Sequence, residues 1–439
     1  MPHFNWKIRK FIALRGMTEQ VKITRLNNGL TVLTDFMPAV RSVTVGIWVR
    51  RGSRHEPENL NGIFHFIEHA VFKGTHKRTA LDIAIESDRL GGNFDAFTSQ
   101  DVTGFTMKVR DNALPKAFDL LSDMIANPRF DQEDLEREQR VIIEEMKMVE
   151  DTPDEYLSEL FNSAYFPDHP LGRPIEGTPA TVSTFNHEKT LAFHKQEFAP
   201  KNLIIAAAGN VNHDELVELS EKVFGELKNE DDSVINFGLP QSATPILLER
   251  KENLEQVHLI IASPWINESS EDRYAASLLA NVLGGGTSSR LWQSIREERG
   301  LAYSIGADEI TFNDTGLFNM YAGTSPEQFD ELVDLALAEL RRVVRESVTE
   351  EELQLAKDQT VSSILLSLES SSIRASMLAH CEMIHGRYIT SDETIEKIEA
   401  VTSEDLQRIA TEFFSTEKMS LAALGDLNGF KVDRKRLEI

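Results

Sequence analysis

His65-Phe66-Ile67-Glu68-His69 is the passage whose residue types and spacing point most directly to chemistry. On a helix, residues four apart lie one turn apart on one face, so both imidazoles can reach a single metal ion. Glu68 is three residues after His65, so its carboxylate can stand beside the ion without ligating it. That is the place for a general base acting on water that a zinc ion has acidified to a pKa of about 7. The order H-x-x-E-H is the inverted form of the commoner zinc motif. A chance match within an amphipathic helix is the alternative, and the flanking Phe64, Ala70, Phe72 and Gly74 weigh against it.

A catalytic zinc wants a third protein ligand. The helical pattern over 131–150 offers one. Leu135, Glu138, Ile142 and Glu145 form a stripe spaced 3, 4 and 3 apart. A buried carboxylate is costly unless it is paired or bound to metal. One glutamate as ligand and the other orienting a ligand histidine would satisfy both. A solvent-facing stripe is the other reading, and spacing alone does not choose between Glu144 and Glu145.

The elements that must position these residues come in two similar sets. In the first, Gly29 to Leu33, Val43 to Val49, Phe105 to Val109 and Leu203 to Ala207 read as strands. Helical patterns cover 62–72, 79–90, 113–126 and 131–150, with Asp131 and Asp134 resembling a cap for the last. In the second, Val257 to Ala262, Leu317 to Tyr321 and 419–424 read as strands, and 271–283, 326–345 and 349–369 as helices. Thr103-Gly104 and Thr315-Gly316 stand 212 residues apart, and the glycines 209 and 425 stand 216 apart. The expected fold is α+β: two homologous domains, each a mostly antiparallel sheet with helices packed on one face. The domains are read as 17–228 and 247–435, joined by a linker over 229–246 rich in Asp, Ser, Pro and Gly. At the 212 offset, His65, Glu68 and His69 become Ser277, Ala280 and Asn281, so one zinc per chain is expected, in the first half.

With these passages in view, the chain resembles the pitrilysin/insulinase superfamily of inverted-motif zinc peptidases. It is most similar to the half-length branch that includes mitochondrial processing peptidase and its bacterial relatives. The resemblance runs over about residues 20–430 and rests on five passages. These are Gly62 to His69, Gly91 to Ser99, Arg140 to Met146, Leu283 to Leu291 and Arg296 to Tyr303. It implies a zinc ion held by His65, His69 and Glu145, with Glu68 as base and Glu138 behind a ligand histidine. Glu145 is implied because the family's third ligand stands 76 residues past the second histidine. Arg296 and Tyr303 match a pair that holds substrate and stabilises the oxyanion, as hydrogen-bond donors can. Phe94, Asp95, Ala96, Phe97 and Thr98 match an edge strand to which an extended peptide adds. The family often has Asn where this chain has Asp95, which leaves the role of Asp95 open.

The function so implied is a zinc metalloendopeptidase acting on unfolded or short peptides in a closed dimer chamber, akin to a processing peptidase. This chain carries both the zinc motif and the Arg/Tyr pair, so a homodimer with two composite sites is expected. A non-catalytic structural or partner subunit of the same fold is the alternative, and the complete metal set argues against it.

The 439 residues are too many for one core. The formal net charge of −25 argues against nucleic acid as a partner, and an acidic chamber would favour basic peptides. Cys381 is the single cysteine, so no internal disulfide can form. No apolar run is long enough for a transmembrane helix. The basic stretch before Met17 is read either as a short amphipathic extension or as a start placed too early. A bacterial-type cytoplasm is expected, with an organelle matrix as the alternative.

Overall fold

The computed structural model describes residues 19–229 and 237–439. The stretch before Met17, and most of the first half of the 229–246 linker, lie outside the described residues.

The first sheet contains β1 (Val21–Arg25), β2 (Thr31–Phe36), β3 (Ser42–Val49), β4 (Asn93–Thr98), β5 (Thr103–Arg110) and β6 (Leu203–Gly209). Their spatial order is β1-β2-β6-β3-β5-β4. The second sheet contains β7 (Ile246–Arg250), β8 (Val257–Trp265), β9 (Ser304–Thr311), β10 (Gly316–Thr324) and β11 (Ser420–Gly425), in the order β7-β11-β8-β10-β9. Leaving β1 aside, the two orders are the same. Each sheet has one parallel pair, β2 with β6 and β7 with β11, and is otherwise antiparallel. β6 and β11 both end on a left-handed glycine, Gly209 at φ +127° and Gly425 at φ +145°. A side chain at Gly209 would strike the Ser42 carbonyl at 2.3 Å.

Each sheet packs helices of its own half on one face. In the first half these include Ile63–Ala70, Leu114–Ala126 and His213–Phe224 against Val43, Val45 and Ile47 of β3. In the second they include Arg273–Gly284, Phe329–Arg345 and Ser403–Phe413 against Leu259 and Ile261 of β8.

The opposite faces are covered by exchange. Helix Ser371–His385 of the second half lays Ala375, Leu378 and Ala379 on Leu33, Trp48, Ile204, Ala206 and Ala208 of the first sheet. Helix Pro153–Tyr165 of the first half lays Leu157, Phe161 and Tyr165 on Ile260, Ala262, Ala422 and Leu424 of the second. Their first residues, Pro153 and Ser371, stand 218 apart, the same offset as Glu145 and Ser363, so the exchange obeys the internal repeat. Strands covered on both faces lose the alternation of a half-exposed sheet. Every residue of β6 is buried for that reason. Its run of alanines also lets the helix of the other half come close.

Polar contacts fix the exchange. Arg374 reaches buried Asp35, Arg25 and Arg50 share Glu382 at 3.0 and 3.1 Å, and Thr44 meets Ser371 at 2.9 Å. A fourth tie is Arg54, which binds Asp314 through both terminal nitrogens (2.9 and 2.7 Å) and Asp101 at 3.2 Å.

Two local expectations need correcting. Asp131 stands at the N-cap of helix Gln132–Asp151 but makes no side-chain cap; its carboxylate pairs with Arg129 at 2.5 Å. The expected linker reaches Ile246, yet Ile246 already opens β7, where it pairs with Leu421.

Candidate metal centre

Helix Ile63–Ala70 is held by its apolar residues and by its first turn. Ile63, Phe64, Phe66 and Ile67 are fully buried. Gly62 caps the helix at φ +96°, and a Cβ there would meet the Glu176 carbonyl at 2.4 Å, so only glycine fits. The buried Glu56 carboxylate accepts from the Gly62 N–H (2.7 Å), the Phe64 N–H (2.8 Å) and the Asn61 amide (3.1 Å). A carboxylate at a helix N-terminus meets both unsatisfied N–H groups and the positive end of the dipole. Burial nonetheless pushes the Glu56 carboxyl up to about 7.

From this helix His65 and His69 project together, their ring centroids 4.6 Å apart. Helix Gln132–Asp151 faces them. Leu135, Glu138 and Ile142 of its stripe are buried, which settles the stripe toward the core. Glu145 continues it one turn on, half-exposed. Glu144 points away and pairs with Lys147 at 2.7 Å. One donor atom each from His65, His69 and Glu145 lie within 4.8 Å of one another, the single such cluster found among the described residues.

Behind the cluster, Glu138 Oε2 lies 3.4 Å from His69 Nδ1, and its other oxygen takes the Lys73 ammonium at 2.9 Å. Burial opposes the ionised form of Glu138, but His69 and Lys73 outweigh it and hold the carboxyl below its usual range. Burial likewise pulls His69 down, yet Glu138, Glu145 and Glu68 together raise it. His65, half-buried and beside His69, is lowered to about 4, so its imidazole is neutral at physiological pH. Its Nδ1 is buried and has no hydrogen-bond partner among the described residues. Two imidazoles, one carboxylate and a carboxylate behind one imidazole are the donor set of a catalytic zinc with an open position. The residues present fit that ion.

Glu68 lies on the same helix and is reached by Thr98 of β4, whose hydroxyl donates to Oε2 at 2.6 Å. Burial raises the Glu68 carboxyl above its ordinary value, with the Thr98 bond pulling the other way. β4 is the last strand of its sheet, so among the described residues its outer edge has no strand partner. Along it Asp95 and Phe97 are exposed, while Phe94, Ala96 and Thr98 turn toward the helix.

Arg296 and Tyr303 lie together elsewhere. Arg296 donates to the Tyr303 carbonyl at 2.7 Å and its guanidinium sits 3.9 Å from the Trp292 ring centroid and 4.8 Å from that of Tyr303. Neither makes a hydrogen bond, ion pair or ring contact with His65, Glu68, His69 or Glu145. Tyr303 is 80% exposed. In the second half, Ser277 takes the place of His65 and hydrogen-bonds the half-buried Glu309, which also accepts from Trp265.

Glu56 and Lys73 were not found by spacing. Both bind a residue of the motif's helix or its support from a loop or short turn, where no periodicity marks them.

Comparison with known proteins agrees with this architecture. Residues 31–179 match the family model described as insulinase (peptidase family M16), and residues 184–360 match the peptidase M16 inactive domain. The uncharacterized zinc protease YmxG of Bacillus subtilis is 36% identical over 404 residues, covering 92% of this chain and 98% of the relative. An uncharacterized zinc protease of Rickettsia felis is 38% identical over 419 residues, covering 94% and 100%. This chain belongs to the M16 peptidase family. Among solved structures, a protease from Helicobacter pylori superposes with a TM-score of 0.87 at 24% identity, covering 93% of this chain and all of that one. A peptidase M16 inactive domain protein from Pseudomonas fluorescens gives a TM-score of 0.85 at 19% identity, covering 92% and 98%. Those two likenesses bear on the fold. No helix among the described residues is long and apolar enough to cross a membrane.

Proposed function

We propose that this chain is a zinc-dependent endopeptidase cleaving extended peptides, with Glu68 as general base and His65, His69 and Glu145 as metal ligands. The observation that carries the reading is the convergence of those three ligands with a base and a supported histidine on two packed helices. The relatives named zinc proteases support it.

When bound, zinc would polarise the scissile carbonyl and lower the pKa of water. The chain's own residues would do the rest. The outer edge of β4 would pair with the peptide main chain and hold it extended. Glu68 would take a proton from water as the water oxygen bonds to the carbonyl carbon. It would return that proton to the amine nitrogen as the C–N bond breaks. Glu138 would hold the orientation of His69, and Lys73 would keep Glu138 anionic.

Arg296 and Tyr303 would complete the site from the second copy of a homodimer, donating to the carbonyl oxygen as it gains charge. Their separation from the metal cluster within one chain, and the exposure of Tyr303, support that reading.

Basic peptides would be favoured. A cleft of about 780 Å³ between the two halves is lined by Val149, Glu155, Glu159, Glu176, His258 and Tyr321. Burial and the neighbouring carboxylates Glu176, Glu150 and Glu155 push Glu159 up to about 7, so an arriving cation would relieve repulsion already present. Val149 lies one turn beyond Glu145 on the same helix, and Glu145 acts on the lining Glu176, which supports a cleft that opens toward the proposed metal cluster.

The test pairs wild type with Glu68→Gln. Both should hold one zinc per chain, and wild type alone should cleave unstructured peptides. Equal activity in the two would sink the mechanism, and a wild type without zinc would sink the ligand assignment. A zinc-loaded wild type inert toward every peptide would favour the non-catalytic subunit.

A further inference from the structure

We propose that Thr98 is a positioning residue that sets the general base, rather than a contact to substrate. This rests on the peptidase reading above and concerns how its base is held.

Alternation along β4 separates two duties. Asn93, Asp95 and Phe97 point outward, and Phe94, Ala96 and Thr98 point to the helix that carries the metal motif. Phe94 anchors that inner face on Phe72, their centroids 4.8 Å apart. Two residues further toward the strand end than Ala96, Thr98 extends its hydroxyl to Glu68. At 2.6 Å the bond has the length of a charge-assisted O–H···O⁻ contact. It is the one hydrogen bond Glu68 makes among the described residues, and it engages Oε2 alone. The final torsion of a glutamate is soft and roughly two-fold. A single short bond to one oxygen therefore selects one orientation and leaves Oε1 free to exchange a proton.

The strand that provides the bond is also the strand whose outer edge would receive the peptide. Among the described residues β4 is paired on one side only, to β5, with Thr98 opposite Thr103. A peptide added to the free edge would give β4 a second partner and stiffen it. Thr98 would then fix the base relative to the same backbone that fixes the substrate. Proton transfer is sensitive to such registration, and a misplacement of about 1 Å can cost about 100-fold in rate.

The test compares wild type with Thr98→Val, Thr98→Ser and Thr98→Ala. Valine keeps the branched shape and removes the hydroxyl; serine keeps the hydroxyl; alanine serves if valine folds poorly. Zinc content, thermal unfolding, kcat and KM on an unstructured peptide, and crystal structures are measured. Thr98→Val and Thr98→Ala should lower kcat by about 10–100-fold with KM and zinc content unchanged. Thr98→Ser should recover to within about 3-fold of wild type. The Glu68 carboxylate should be rotated or split in Thr98→Val and in place in Thr98→Ser. The proposal is overturned if Thr98→Val keeps the wild-type kcat, if only KM changes, if serine is no better than valine, or if the carboxylate stays in place without the hydroxyl. An inactive wild type would instead overturn the peptidase reading.

Discussion

Glu56 should make the protein less stable as the pH rises toward neutrality, although it caps a helix that it helps to build. Its carboxyl is wholly buried and is moved by that burial from an ordinary value of 4.5 to about 7. The folded state therefore holds the Glu56 proton more tightly than the unfolded chain does. Below about pH 4.5 both states are protonated, and the favourable contribution is fully present. Between there and about pH 7 the unfolded chain has released its proton and the fold has not, so stability falls. Above that both are ionised and the loss is constant. A gap of that size corresponds to about 3 kcal/mol in full. Glu56→Gln has no proton to release and lacks this slope. Urea unfolding of the two proteins at pH 5, 6, 7 and 8, with a chelator present to keep metal binding out of the balance, isolates it. Every other titrating group cancels in the difference. The stability of wild type relative to Glu56→Gln should drop by about 2–3 kcal/mol over that range. A difference that is flat, or that grows with pH, would show that the three donors from Gly62, Phe64 and Asn61 hold the group ionised despite burial.

Other outcomes follow from the same contacts. Lys73→Met should weaken zinc binding by about 10-fold in competition with a chromophoric chelator, because Glu138 loses its counter-ion and its hold on His69; unchanged affinity would remove Lys73 from the site's support. Leu378→Ala should cost about 3–5 kcal/mol in urea unfolding, since the alanines around it are too short to fill the space. Its unfolding should remain one transition, and two separate transitions would contradict the exchanged packing. Glu68→Gln and Arg296→Ala should each be nearly inactive. If the sites are shared between two copies, mixed and reassociated variants should recover about a quarter of wild-type activity, and no recovery would place each site within one chain.

Much of this was legible in the sequence because it depends on local periodicity. Val43 to Val49 and Val257 to Ala262 are strand-like runs, and both lie inside strands of the structure. The stripe through Leu135, Glu138 and Ile142 was legible, and the structure buries it, one of the two faces that spacing left open. The repeat was visible through glycines, since Gly209 and Gly425 occupy a backbone conformation that other residues avoid. What stayed hidden depends on contacts far apart in the chain. Nothing in residues 371–385 says that they cover the first sheet, since an alanine-rich helix face fits any close partner. The metal spacing was legible as chemistry, but the choice of Glu145 over Glu144 came from family likeness; in the structure Glu145 lies with the two histidines and Glu144 pairs with Lys147. Thr98 was grouped with its strand neighbours, and only the direction of its side chain separates it from them.

The exchanged helices have a consequence for how the chain is made. β6, ending at Gly209, completes the first sheet, but the helix that covers its second face ends at His385. At ~5–20 residues per second, a ribosome needs about 10–35 s to add the intervening segment. During that interval Leu33, Trp48 and Ile204 lie on a finished but uncovered apolar surface. The nascent chain therefore passes through a sticky stage set by translation rather than by folding. A pause between codons 209 and 385 would lengthen that exposure without altering a single residue of the finished protein.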